Sequence, residues 1–188
     1  MRLKVHNRET APEASQLILE ESEKSLGFIP NPYGAFAESP TALQAYTALS
    51  EALKQSALSP IEQQVVALAV STENECSYCV AAHSVIATMV KMPETTLNEL
   101  RAQDKLSDTK RDALRNLALE VVRRRGWVAE PVTDAFFAAG YTRRHFLDVI
   151  TIVAMKTMSN YVNHIAETPL DQGFASQQWS PRHKDQAA

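Results

Sequence analysis

Cysteine is nearly missing from this chain: two residues in 188, three positions apart. That excludes a secreted disulfide framework, which needs several cysteines spread along the sequence. Glycine is scarce as well, with five residues, and no alternating apolar and polar run points to a strand. A basic excess is also lacking. The formal net charge is -3 and the isoelectric point near 6.0, which argues against a nucleic-acid partner. The one basic run, Arg123-Arg124-Arg125, closes a helical pattern, where it complements the helix dipole. No apolar run exceeds Val65 to Val70, far below the roughly 18 residues that span a bilayer. Met1 to His6 runs into Asn7, Arg8 and Glu9 with no apolar core for a signal peptide. The expectation is a cytoplasmic protein with no membrane partner.

The chain has the makings of a globular core, with 45% hydrophobic and 22% charged residues. Its length predicts a single domain over 1–188. Nine prolines fall between periodic segments, the punctuation of an all-α chain. Helices are expected at about Pro12–Ser25 (stopped by Gly27), Tyr33–Glu38, Thr41–Lys54, Pro60–Ser71, Asn74–Val90, Pro93–Gln103, Ser107–Arg125, Glu130–Ala139 and Thr142–Ala166. Phe28-Ile29-Pro30-Asn31-Pro32 reads as an extended connector. Ser59-Pro60-Ile61-Glu62 has the form of a capping box, and Asn74 is read as the N-cap of the helix that carries the cysteines. A shift of 83 residues places Val66 on Val149, Val70 on Val153 and Tyr78 on Tyr161. Either this is chance, or the chain holds a degenerate repeat of a helical hairpin.

The string Glu75 to His83, ECSYCVAAH, carries the chemistry. At helical spacing Cys76, Cys79 and His83 share one ridge. Alpha-carbons three apart on a helix are about 5 Å from each other, within reach of a disulfide. A free thiol with a pKa of about 8.5 is mostly protonated at neutral pH. Lowering that value by about two units, roughly 2.7 kcal/mol, makes the thiolate the major species, and a helix N-terminus with a nearby histidine can supply this. Zinc is the rival, but it wants four ligands, and His6, His145, His164 and His183 are scattered. The expectation is a redox dithiol with no metal and no cofactor.

Over Leu58 to Ser84, LSPIEQQVVALAVSTENECSYCVAAHS, the chain resembles the AhpD-like alkylhydroperoxidase branch of the carboxymuconolactone decarboxylase superfamily, with its core at about 41–103. Weaker likeness extends to Phe28–Pro32, Asn160-Tyr161 and Thr168–Asp171. The resemblance implies a compact AhpD-like multi-helix bundle, a homo-oligomer, and thiol peroxidase or disulfide reductase activity without metal or haem. Carried over, Cys79 is the peroxidatic cysteine, Cys76 the resolving cysteine and His83 the proton relay. The family's relay glutamate falls on Gln64, which exchanges no protons. Glu62, two residues earlier, is then either a substitute relay or the partner of Ser59 in the capping box.

In the expected cycle the Cys79 thiolate takes oxygen from a hydroperoxide, Cys76 resolves the sulfenic acid to a disulfide, and an external dithiol or lipoyl-type reductant restores both thiols. Tyr78 is expected either to cover the pocket or to serve as a core aromatic. Two other functions fit the same string. One is a dithiol redox partner that never turns over peroxide, the other a helical binding protein with a residual CxxC. The apolar stretches Val65–Val70 and Val149–Met155 are expected to supply oligomer surface.

Overall fold

A computed structural model describes residues 3–182, so the expectations resting on Met1, Arg2 and His183 lie outside the described residues. The elements described are helices: α1 Glu13–Leu26, α2 Asn31–Phe36, α3 Pro40–Leu53, α4 Pro60–Glu73, α5 Ser77–Met89, α6 Glu94–Arg101, α7 Thr109–Arg123, α8 Glu130–Ala138 and α9 Arg143–Ala166, followed by a 3-10 turn, Gln172–Gln177. The all-α class is as the sequence predicts.

Helix α4 is the axis of the bundle. Every residue from Val65 to Val70 is buried, and α5, α7 and α9 pack around it. Burying each of its valine and leucine side chains is worth about 1.5–3 kcal/mol. This corrects one expectation: Val65–Val70 is covered within the chain and supplies no oligomer surface. The helix starts as read, with Ser59 Oγ accepting from Glu62 N–H and Glu62 Oε2 accepting from Ser59 N–H at 2.9 Å. Its last turn is tied to α7, where Arg123 makes two 2.7 Å hydrogen bonds to the Glu73 carboxylate.

Three local readings change. Pro32 lies inside α2, because the connector ends at Pro30 and proline is tolerated in a first helical turn. Asn74 is the C-cap of α4, and the N-cap of α5 is Cys76 itself. The 83-residue echo is no hairpin repeat: the counterparts of the α4–α5 turn fall inside the unbroken helix α9, and Tyr161 is exposed where Tyr78 is buried.

The first described residues pack on α2. His6 N–H donates to Gly34 O at 3.0 Å, and a Cβ on Gly34 would come within 2.4 Å of the His6 carbonyl oxygen, so only glycine allows this approach. At the other end of the chain, Asp171 Oδ2 accepts from Asn31 N–H at 3.1 Å, and Asn31 Nδ2 donates to Pro169 O at 3.0 Å. Two of the three outlying segments of the family resemblance, Phe28–Pro32 and Thr168–Asp171, therefore meet each other beside α5.

Candidate active site

The turn between α4 and α5 is tight and pinned. Glu75 has a left-handed backbone (φ 54°), and Cys76 N–H reaches back to Ser71 O at 2.9 Å. Asn74 Nδ2 donates to Asn160 Oδ1 of α9 at 3.0 Å. Asparagine serves helix ends of both kinds, which is why its position alone misplaced the cap. Cys76 makes no side-chain capping bond, and Cys79 sits in the first turn of α5, where backbone amides have no helical partner.

Helix α9 brings a stripe of buried polar groups to the two sulfurs. Lys156 Nζ lies 3.5 Å from Cys79 Sγ, Asn163 Nδ2 3.3 Å and Ser159 Oγ 3.8 Å; Asn163 Nδ2 also lies 3.8 Å from Cys76 Sγ. Spacings of three, four and seven residues put Lys156, Ser159, Asn160 and Asn163 on one helical face. Lys156 is 1% exposed, and among the described residues no carboxylate pairs with it. Its counter-charge is the Cys79 sulfur. Both cysteines are free thiols and buried.

The electrostatics divide the pair. The Cys79 thiol is held well below its usual pKa, most by the hydrogen bond from Cys76, against the cost of burial, with further lowering from the Lys156 charge, Ser159 and Asn160. Cys76 is pushed up by its hydrogen bond to Cys79 and by burial. The two sulfurs are biased in opposite directions, Cys79 toward the thiolate and Cys76 toward the thiol. Burial works to lower the Lys156 value, but the charges of Cys79, Tyr46 and Cys76 outweigh it and hold the ammonium protonated.

His83 makes no hydrogen bond to either sulfur among the described residues. Its Nδ1 lies 2.7 Å from Gln64 Oε1. With the amide oxygen accepting, Nδ1 carries the ring proton and Nε2 is bare. Burial and then the Lys156 charge push its pKa well down, so the ring is neutral. Gln64, on which the resemblance places the relay glutamate, therefore faces His83 directly.

Glu62 faces elsewhere. Its carboxylate accepts from Ser59 and, at 3.0 Å, from the Tyr141 hydroxyl, with Lys110 Nζ 3.4 Å away. Burial raises its pKa, and the Ser59, Tyr141 and Lys110 interactions bring it down overall. The geometry sides with the capping box and gives Glu62 no path to the thiols. Tyr78 donates a short hydrogen bond to Asp171 Oδ2 and packs edge-on against Phe174, so it both covers the site and fills the core.

Two hollows reach the sulfurs. Cys79 and His83 line an apolar pocket of about 520 Å³ walled by Phe28, Tyr33, Tyr46, Ile86, Met89 and Phe174. Cys76 lines a separate cleft of about 550 Å³ with Asn74, Glu75, Ser77, Asn163 and Thr168. Among the described residues no group of three or more His, Cys, Asp or Glu side chains is placed to hold a metal ion.

Comparison with known proteins agrees with this picture. The carboxymuconolactone decarboxylase family matches residues 40–124. No curated protein matches by sequence. An uncharacterized peroxidase-related protein from Ralstonia eutropha JMP134, described as an alkylhydroperoxidase AhpD core, superposes with a TM-score of 0.80 at 24% identity, covering 92% of this chain and 93% of its own. An uncharacterized peroxidase-related protein from Silicibacter sp. TM1040 gives 0.78 at 22% identity, covering 94% of each chain. The debrominase Bmp8 gives 0.75 at 18% identity, covering 93% of this chain and 95% of its own. These similarities establish the fold, an AhpD-like helical bundle, and the family match spans the CxxC–His string.

Proposed function

We propose that this AhpD-like chain is a thiol-dependent hydroperoxidase that cycles between a Cys76–Cys79 dithiol and disulfide. The observation that carries this reading is Cys79 Sγ, held between Lys156 Nζ and Asn163 Nδ2 on the floor of an apolar pocket, with Cys76 beside it. A stabilised thiolate next to a protonated resolving thiol is what the two steps require.

The Cys79 thiolate attacks the terminal oxygen of a hydroperoxide. The O–O bond breaks, the electron pair leaves on the alkoxide, and the alkoxide takes up a proton from water while the Lys156 ammonium beside Cys79 stabilises the developing charge. Cys76 Sγ then attacks the Cys79 sulfenic acid; its own proton leaves with the displaced hydroxide as water, and the disulfide forms. The sum is dithiol plus hydroperoxide giving disulfide, alcohol and water. His83 is neutral and turns its bare Nε2 away from Gln64. It serves as a proton acceptor in the pocket, beside a Cys79 thiol that Cys76 and Lys156 already bias toward ionisation.

Mass spectrometry after one equivalent of cumene hydroperoxide tests the reading. The protein loses two hydrogens, and Cys79→Ser loses none; a wild-type protein whose thiols survive unchanged overturns it. The aromatic walls favour one second reading, a flat haloaromatic in place of the hydroperoxide. The C82A variant of the debrominase Bmp8 was crystallised with 2,3,4-tribromopyrrole. Bromide release from that compound by the reduced protein separates the two.

The reading also includes a homo-oligomer, carried by α9, where Ile150 of the expected Val149–Met155 stretch is exposed, and not by Val65–Val70. Leu147, Ile150, Tyr161 and Ile165 leave apolar surface exposed along α9. A second copy packed there would cover it. A single sedimenting species of about 21 kDa at micromolar concentration rules this out.

A further inference from the structure

We infer that the site has two entrances with different work: substrate reaches Cys79 through the apolar pocket, and the reductant, a dithiol bearing hydroxyl or amide donors, reaches Cys76 through the polar cleft. This deepens the proposed function and rests on Cys76–Cys79 being the redox pair.

Three observations carry it. The first is placement. Cys76 lines the polar cleft and is absent from the apolar pocket, while Cys79 lines the pocket and is absent from the cleft. Tyr78, anchored to Asp171, and Asn163 form the wall between them and border both. The second is unmet hydrogen-bonding capacity. Asn163 Oδ1 and Thr168 Oγ1 are buried and have no partner among the described residues, and both residues line the cleft. Asn163 is only 5% exposed, and its amide nitrogen is already committed to the sulfurs. Buried acceptors left open in a cleft call for a ligand that brings donors.

The third is the chemistry of exchange. A disulfide opens fastest when the sulfur expelled is the better thiolate. Here that sulfur is Cys79, received by Lys156 and Asn163. The reductant thiolate attacks Cys76 Sγ, the S–S bond breaks, and the electron pair leaves on Cys79. The reductant's second thiolate then attacks its own sulfur in the mixed disulfide and releases the Cys76 thiolate, which takes up a proton. The reductant is oxidised to a disulfide, and the protein dithiol is restored.

The test starts from disulfide made with diamide, so it does not depend on peroxide turnover. If peroxide leaves the dithiol untouched, the proposed function fails while the reduction experiments still decide this inference. The wild-type disulfide is treated with 2-mercaptoethanol, quenched with iodoacetamide and mapped by mass spectrometry. The adduct is expected on Cys76 with Cys79 alkylated; the reverse pattern overturns the proposal. In parallel, Ser77→Phe narrows the cleft and Ala82→Phe the pocket. S77F is expected to slow reduction by dithiothreitol at least tenfold more than A82F. Equal slowing, or the opposite order, means a single entrance and overturns the proposal whether or not an adduct is captured. Dithiothreitol and 1,4-butanedithiol differ only in two hydroxyls. Normalised to their rates with a free disulfide, dithiothreitol is expected to be at least fivefold faster on the wild type, and Thr168→Val to narrow that ratio. A wild-type ratio of one removes the donor-bearing class from the proposal.

Discussion

Two helices of this molecule start in opposite ways. Helix α4 starts at Ser59, whose side chain and Glu62 satisfy each other's backbone donors, with Tyr141 and Lys110 completing the cluster. Helix α5 starts at Cys76, which caps nothing with its side chain, follows a residue in left-handed backbone, and is held by Ser71 and by Asn74–Asn160 from outside. At the first start, polar groups meet local partners and the helix gains stability. At the second, the polar stripe of α9 converges on two sulfurs. The same position in a helix is used for stability in one case and for reactivity in the other. What distinguishes them is whether the N-cap side chain turns inward to its own helix.

The sharpest way to break this contrast is to remove the sulfurs one at a time. Cys79→Ser is expected to abolish reaction with hydroperoxide, whereas Cys76→Ser still oxidises and stops as a sulfenic acid that a dione probe traps. A trappable adduct in Cys79→Ser and none in Cys76→Ser would reverse the roles.

Next in size is Lys156→Met, which takes the cation from Cys79 while keeping the length of the side chain. Thiolate absorbance at 240 nm is expected to titrate about 1–3 pH units higher, the usual effect of losing an opposite charge at contact distance. Oxidation at pH 7 falls about tenfold or more as the thiolate fraction drops. Stability carries the same signature. The Cys79 thiol titrates lower in the folded than in the unfolded chain, so between its folded pKa and about 8.5 the unfolded chain binds more protons. The reduced protein therefore gains stability as pH rises through that window. His83, also held low, acts in the same direction up to about pH 6.5. In Lys156→Met the gain above pH 6.5 is expected to shrink. Urea denaturation across pH reads it, and an unchanged slope contradicts the pairing.

A smaller effect is expected from Gln64→Glu, which sets a carboxylate against His83 Nδ1 across the present 2.7 Å contact. The His83 pKa should rise, read by NMR titration of its ring protons, with a several-fold faster oxidation below pH 7. A risen pKa without faster oxidation would mean that His83 takes no part in the rate. The smallest kinetic effect belongs to Glu62→Gln at the other helix start, with a loss of about 1 kcal/mol in stability and oxidation within about twofold of wild type. A drop of 10²-fold would restore Glu62 as a relay.

The same contrast explains what was legible in the sequence. The Ser59–Glu62 box is local, its partners three residues apart, and it reads directly. The spacing of Cys79 and His83 is equally local, whereas Cys76 stands ahead of the helix and not on its ridge. Lys156, Ser159 and Asn163 come from a helix about 80 residues away, and spacing within the CxxC string says nothing about them. One signal points there: the polar Lys156-Ser159-Asn160-Asn163 series at helical period inside the apolar pattern of α9. The oligomer surface was misplaced because a strongly apolar run reads alike whether it faces a neighbouring copy or the centre of its own fold.

Lys156 has a consequence for the state in which this protein rests. Forming the Cys76–Cys79 bond erases the one negative charge beside a fully buried ammonium. Such a short cross-link constrains the unfolded chain by only about 2 kcal/mol, whereas a buried charge without its partner costs about 3–5 kcal/mol. Oxidation, which toughens most proteins, should soften this one: the reduced form melts at the higher temperature, and amide exchange along α9 quickens when the disulfide closes. The protein then behaves as a cocked spring when oxidised, ready to hand its disulfide on and slow to keep it.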